Sequence, residues 1–199
     1  MLSNFKINSF YAVLLHDSKK LKKDDYLEFL SLVRLLKKMK LIKHYGISIY
    51  SQIEFCNFRK YGKPEIVQGQ LNIFDQTMLE GNFLQKLRKD RIKFHARSIF
   101  LQGLLTTNSN KLRAYFRRWN KVFIEWNTFC KNKGYSNLIM ATNFVTSNSF
   151  VDKIVVGFRN KNELKEFLSI KKVLRKDNIN FKIKKNLSNS NLLKPFNWM

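Results

Sequence analysis

Between Lys86 and Lys121 the sequence sets eleven cations, Lys86, Arg88, Lys89, Arg91, Lys93, Arg97, Lys111, Arg113, Arg117, Arg118 and Lys121, against a single acid, Asp90. Guanidinium forks and ammonium groups at this density suit phosphate oxygens, so the eleven are candidate contacts to a nucleic acid backbone. The whole chain repeats the bias, with 38 Lys and Arg against 14 Asp and Glu and a formal net charge of +24. A chain so charged repels itself and calls for a polyanionic partner, either nucleic acid or an anionic membrane. Other chemistry finds little support. The acids are scattered and form no D-x-D pair, and there is no phosphate-binding G-x-x-x-x-G-K-[ST] loop and no G-x-S-x-G nucleophile turn. His16, His44 and His95 lie far apart, and Cys56 and Cys130 stand alone, which supports neither a zinc site nor a disulfide. The residues therefore predict no enzyme, no catalytic residue, no metal, no cofactor and no small-molecule substrate.

The elements that must position the cations follow from apolar spacing. Asp24 and Asp25 suit a helix start, Leu27, Leu30, Val33, Leu36 and Met39 recur at three-residue steps, and lysines crowd the end before Gly46, which predicts a helix over 24–45. Ile47, Ile49, Ile53 and Phe55 alternate with polar residues and predict a strand over 47–56, and Tyr61-Gly62-Lys63-Pro64 marks a turn with a possible hairpin beyond it. A basic helix is expected from Phe83 to Leu105. A second follows with the stripe Leu112, Tyr115, Phe116, Trp119, Val122, Phe123, Trp126, Phe129 and Cys130, which stops at Gly134. The aromatic stripe reads as core, and Lys111, Arg113, Arg117 and Lys121 as the phosphate-facing side. Asn160 and Glu163 open a further helix as a capping pair. The fold class expected is mostly α: an α-helical RNA-binding domain over 83–175, a small α/β N-terminal extension over 1–82, and a basic tail over 176–199 that orders against a partner.

Phe116-Arg117-Arg118-Trp119, Ile124 and Tyr135-Ser136-Asn137-Leu138-Ile139 resemble the F-R-x-x-W … I-N … Y-S-x-F-I-x-G-L core of the bacterial-type large-subunit ribosomal protein twenty family. Asp152-Lys153-Ile154-Val155-Val156 followed by Leu164 to Lys171 is similar to that family's last segment, and the resemblance covers roughly residues 83–175. It implies an all-helical domain docked on large-subunit ribosomal RNA beside neighbouring ribosomal proteins, with a part in subunit assembly and no catalytic role. The helix-then-strand order from Asp25 to Phe55 is also similar to the first half of small-subunit ribosomal protein eight.

Composition adds a location. Phe, Lys, Asn, Ile and Leu are abundant, and alanine occurs only at Ala12, Ala96, Ala114 and Ala141, a codon bias expected of an organelle-encoded gene. No apolar run reaches the roughly 18 to 20 residues of a transmembrane span, and no cleaved leader is expected at the start. The sequence thus predicts a structural constituent of the mitochondrial ribosome, of the large subunit, in the matrix. A small-subunit ribosomal protein, a basic accessory subunit of a respiratory complex, or an organellar nuclease or maturase are the alternatives.

Overall fold

Short apolar runs separated by amphipathic helices build this chain, and in the computed structural model they pair as strands. Residues 6–170, 179, 181, 187 and 190–198 are described. In chain order the regular elements are β1 (Phe10–Leu15), α1 (Lys23–Lys38), β2 (Ile42–Ile49), α2 (Gln52–Arg59), β3 (Ile66–Gln70), α3 (Phe83–Lys89), β4 (Lys93–Arg97), α4 (Asn120–Asn132), α5 (Asn137–Thr146), β5 (Lys153–Ile154) and α6 (Lys161–Ser169). The five strands lie in one sheet in the order β1-β2-β3-β4-β5. β1 runs parallel to β2, with Phe10 opposite Ile42 and Leu15 opposite Ile47, and β2 runs parallel to β3, with Gly46 opposite Ile66 and Ile49 opposite Gly69. Strands that alternate with helices and pair in parallel define an α/β fold. The expectation of a mostly α-helical RNA-binding domain is therefore corrected.

The chain divides into two compact units. Unit 1 holds residues 1–69 and 78–95. Its helix α1 starts where Asp25 accepts a hydrogen bond from the Lys22 amide at 2.7 Å, and it buries Tyr26, Leu30 and Val33. Ile47 and Ile49 of β2, Val67 of β3 and Phe58 of α2 are fully buried in the same unit, and the Tyr26 and Phe58 rings meet edge to face with centroids 5.9 Å apart. Gly46 is where a side chain could not fit, because a Cβ there would collide with the Ile66 carbonyl oxygen. Unit 2 holds residues 70–77 and 96–199. Its core gathers Phe74, Leu101, Leu105, Phe123, Trp126, Cys130 and Leu192. The Trp126 indole donates to the Leu105 carbonyl at 2.9 Å, which satisfies the polar edge of the largest buried ring.

Several local expectations change. The helix expected over 24–45 ends at Lys38, and β2 starts at Ile42, so Gly46 is a strand residue and not a helix stop. The strand expected over 47–56 is the end of β2 followed by α2. The basic helix expected from Phe83 to Leu105 is α3, then β4, then a loop. Phe94 and Ala96 of β4 are buried, and a short buried strand of this kind cannot be told from helix by spacing alone. The partner-ordered tail is replaced, in its described part, by a segment whose Leu187, Leu192 and Leu193 are buried in unit 2. Residues 176–178, 180, 182–186, 188, 189 and 199 of the expected tail lie outside the described residues.

Candidate active site at the strand ends

In parallel α/β proteins the carboxyl ends of the strands carry the chemistry, because the loops that leave them are free to vary. In unit 1 those ends are His16 after β1 and Tyr50 after β2. The two rings stack with centroids 5.8 Å apart and planes 26° from parallel, and the Lys19 ammonium lies 5.0 Å above the Tyr50 ring. The loops beneath are tied by Glu54, which is buried although acidic. Its carboxylate accepts from the Ser18 hydroxyl at 3.4 Å, the Tyr50 amide at 3.2 Å and the Ser51 hydroxyl at 3.2 Å. Asp17, between His16 and Ser18, is left-handed at φ 55°, and the buried Tyr26 hydroxyl holds the Ser18 carbonyl at 3.1 Å. One step further into the sheet, the Ser48 hydroxyl donates to Gln68 at 3.4 Å. An imidazole and a phenol, both able to give a proton, are thus fixed side by side.

Unit 2 presents the ends of β3, β4 and β5. Gln70 and Asn72 are buried amides two residues apart on the continuation of β3. Gln70 donates to Asp75 at 2.8 Å and to the Leu193 carbonyl at 3.0 Å. Asn72 accepts from the amides of Phe74 and Asp75, each at 2.9 Å, and donates to the Ser98 carbonyl at 3.1 Å. That last bond pins the loop after β4, where Ser98, Leu101 and Gln102 adopt φ of 55°, 47° and 55° and Gly103 follows at 88°. Left-handed backbone at three residues with a Cβ costs about 1 to 3 kcal/mol each and persists only where the surroundings enforce it. The turn uses the amides of Leu101, Gly103, Leu104 and Leu105, and leaves those of Ile99, Phe100 and Gln102 without a partner among the described residues. Successive backbone N–H groups in such a loop form an anion-binding concavity. The loop after β5 joins it through aromatic packing, with Phe100 6.0 Å and Phe158 5.3 Å from Phe167 of α6. Arg159, in that second loop, pairs with Glu163, and Asn160 caps α6 by accepting from the amides of Asn162 and Glu163 at 3.0 Å each.

The eleven cations singled out in the sequence do not gather on one helix. Lys86, Arg88 and Lys89 are exposed on α3, Arg91 is exposed in the turn after it, and Lys93 lies on β4 beside His44 at 3.4 Å, all in unit 1. Arg97, Lys111, Arg113, Arg117, Arg118 and Lys121 belong to unit 2, where Arg118 stacks 4.3 Å from the Tyr115 ring and 4.2 Å from the Trp119 ring. Of the eleven, only Arg97 stands at the carboxyl end of a strand. His16, Tyr50, Glu54, Asn72 and Ser98 were not singled out by sequence reasoning as site residues. The one signal that points to His16 is its place directly after the apolar run Phe10–Leu15.

A parallel sheet whose strands alternate with helices defines an α/β fold. Its family follows from comparison: the sequence model of the aldo/keto reductase family matches residues 1–185, and the chain belongs to that family. Among solved structures, an aldo-keto reductase from Bacillus halodurans in its apo form matches with a TM-score of 0.65 and 13% identity, over 97% of this chain and 64% of the other. Its holo form matches with a TM-score of 0.64 and 14% identity, over 89% and 65%. A glycerol dehydrogenase from Gluconobacter oxydans matches with a TM-score of 0.58 and 18% identity, over 92% and 64%. The chain thus spans less than two thirds of the length of these proteins. No curated protein matches it in sequence.

Family membership overturns the resemblance to ribosomal protein twenty, and no ribosomal protein family matches the chain. The readings as a structural constituent of a mitochondrial ribosome, of either subunit, and as a respiratory accessory subunit fall with it. So do the expectations of no enzyme, of ribosomal RNA and ribosomal proteins as partners without a small-molecule substrate, and of a mitochondrial matrix location. The resemblance failed because it rested on the order of residue types along roughly 90 residues, whose backbone turns out to alternate strand and helix.

Proposed function

We propose that the chain belongs to an oxidoreductase that reduces a small aldehyde or ketone at the expense of a nicotinamide dinucleotide. The observation that carries this reading is the left-handed loop Ser98–Gly103 at the end of β4, with its open amides and with Arg97 at its base. Loops after the late strands of barrel enzymes are frequent phosphate sites. A dinucleotide pyrophosphate fits this donor set: the amides of Ile99, Phe100 and Gln102 would hold its oxygens, and Arg97 and Arg159 would supply positive charge. The bound cofactor would supply the hydride to the carbonyl carbon. This chain's part in the chemistry is to hold the carbonyl oxygen and to protonate it as the alcohol forms. The amino end of α6 is not part of the phosphate site, because Asn160 already occupies its first amides.

Titration of the full chain with NADPH, read by quenching of tryptophan fluorescence, tests the reading. Binding should be saturable, should weaken with salt because charge carries part of it, and should lose about tenfold in affinity, near 1.4 kcal/mol, in Arg159→Glu. Absence of saturable binding, or binding indifferent to Arg159→Glu and to salt, would remove the phosphate assignment.

A further inference from the structure

The outward face of α1 pairs an apolar ridge with a cluster of cations. On a helix of about 3.6 residues per turn, Leu32, Leu35 and Met39 lie roughly opposite the buried Tyr26, Leu30 and Val33, so they point away from the core that α1 covers. They are 51%, 54% and 57% exposed, and the Met39 amide still bonds the Leu35 carbonyl at 2.9 Å, which keeps all three on one helical surface. Phe29, whose ring lies 6.2 Å from that of Phe58, marks the flank that faces α2 and leaves the ridge uncovered. From Phe29 to Lys43 the chain carries Arg34, Lys37, Lys38, Lys40 and Lys43 and no acid. Lys37 is held by Glu65, and the other four are exposed and make no ion pair among the described residues. The acids of α1, Asp24, Asp25 and Glu28, are confined to its amino-terminal half.

We propose that the carboxyl-terminal half of α1, with the turn into β2, docks on an anionic phospholipid surface: Leu32, Leu35 and Met39 enter the acyl boundary, and Arg34, Lys38, Lys40 and Lys43 rest at the headgroup phosphates. Two features favour a bilayer over a folded protein. The ridge is convex, and a fluid interface closes round a convex ridge, whereas a protein would have to offer a matching groove. The cations sit on long flexible stems, which reach headgroups while their apolar neighbours are buried. A basic helix with apolar residues on its exposed side lies in an interface and does not cross it. No helix among the described residues is long and apolar enough to cross a membrane. The acids of the amino-terminal half are repelled by the same headgroups, so α1 docks tilted, with Met39 deeper than Glu28.

The test uses the full chain with vesicles of phosphatidylcholine, with and without phosphatidylglycerol, read by co-sedimentation and by an environment-sensitive nitrobenzoxadiazole label. A net charge of +24 draws the chain to any anionic surface, so the deciding variant leaves charge unchanged. Leu32→Ser/Leu35→Ser should bind the anionic vesicles at least about tenfold more weakly than the unmodified chain. Its circular dichroism and urea midpoint should stay close to the original, because both residues are exposed. Lys40→Gln should weaken binding about fivefold, and by less at high salt. In a Cys56→Ser background the buried Cys130 escapes labelling. There a label carried by Met39→Cys should shift its emission to the blue on anionic vesicles, and one carried by Glu28→Cys should not. Equal binding by Leu32→Ser/Leu35→Ser, or equal shifts at the two labels, would reduce the attraction to net charge and overturn the proposal. No binding to the anionic vesicles would leave the ridge to a protein partner, and a dimer that the double substitution dissociates would assign it to a second copy; either result overturns the proposal as well.

Discussion

Asn72 is the side chain on which the strained loop of unit 2 depends, and its replacement has a calculable cost. Its carboxamide is fully buried and makes three bonds, accepting from the Phe74 and Asp75 amides and donating to the Ser98 carbonyl. Asn72→Asp keeps both acceptor bonds and removes the donor alone. One buried carbonyl left without its partner costs about 1 to 3 kcal/mol, and a carboxylate facing a carbonyl adds to it. Asn72→Ala strands all three partners, and partial relaxation brings the expected loss to about 3 to 6 kcal/mol. With a urea slope of about 2 kcal/mol per M, the midpoint should fall by about 0.5 to 1.5 M in Asn72→Asp and by about twice that or more in Asn72→Ala. Tryptophan fluorescence is the right probe, since Trp119, Trp126 and Trp198 all lie in unit 2 and report its unfolding without interference from unit 1. Hydrogen exchange should resolve the two variants further, with the Phe74 and Asp75 amides exposed in Asn72→Ala but still protected in Asn72→Asp. A midpoint shift below about 0.3 M for Asn72→Ala would refute the view that Asn72 holds the loop.

Gly46→Ala should destabilise unit 1 by at least about 1 to 3 kcal/mol, measured by urea unfolding followed by circular dichroism, because the added methyl meets the Ile66 carbonyl and must push β2 from β3. Burial pushes the Cys130 thiol up to about 12, and Cys56 is exposed. Iodoacetamide at pH 8 should therefore label Cys56 and spare Cys130 in the folded protein, as peptide mass spectrometry will show. Burial opposes ionisation of Glu65, but the Lys37 ammonium, the Tyr45 amide and His44 outweigh it and hold the carboxyl below its ordinary value of 4.5. A carboxyl so lowered contributes stability that is present above pH 4.5 and is lost as pH falls through its folded value. Thermal unfolding followed between pH 6 and 3 should accordingly show a shallower acid-side loss in Glu65→Gln than in the unmodified chain, and an unchanged slope would count against the pairing.

How much of this was legible depended on whether an element announces itself locally. α1 did, through its acids at the start and the three-residue steps of apolar residues, of which Leu30 and Val33 are buried while Leu27 and Met39 are exposed. The aromatic stripe read as core, and Phe116, ahead of α4, and Phe123, Trp126 and Cys130 of α4 are buried in unit 2. Asn160 caps α6 as its spacing with Glu163 suggested, and Gly134 ends α4 in a left-handed turn at φ 74°. The parallel strands did not announce themselves. β4 is five residues long, its Lys93 and Arg97 belong to the basic run, and its buried Phe94 and Ala96 continue the apparent helix on either side. Gly46 looked like a helix stop because the contact that demands glycine, with Ile66, is twenty residues away in sequence. The strand-end groups were hidden for the same reason: His16 meets Tyr50, and Asn72 meets Ser98, only once parallel pairing brings them together. Net charge misled most, since it bears on solubility and partners and carries no information on fold.

The central claim is that the loops leaving β4 and β5 in unit 2 seat a nicotinamide dinucleotide. Amide hydrogen exchange of the full chain with and without saturating NADPH tests it most directly. The account predicts slowed exchange in peptides spanning 98–103 and 155–160, with no change in the basic segment 111–121. Protection confined to 111–121, or no protection in either strand-end loop, would contradict it.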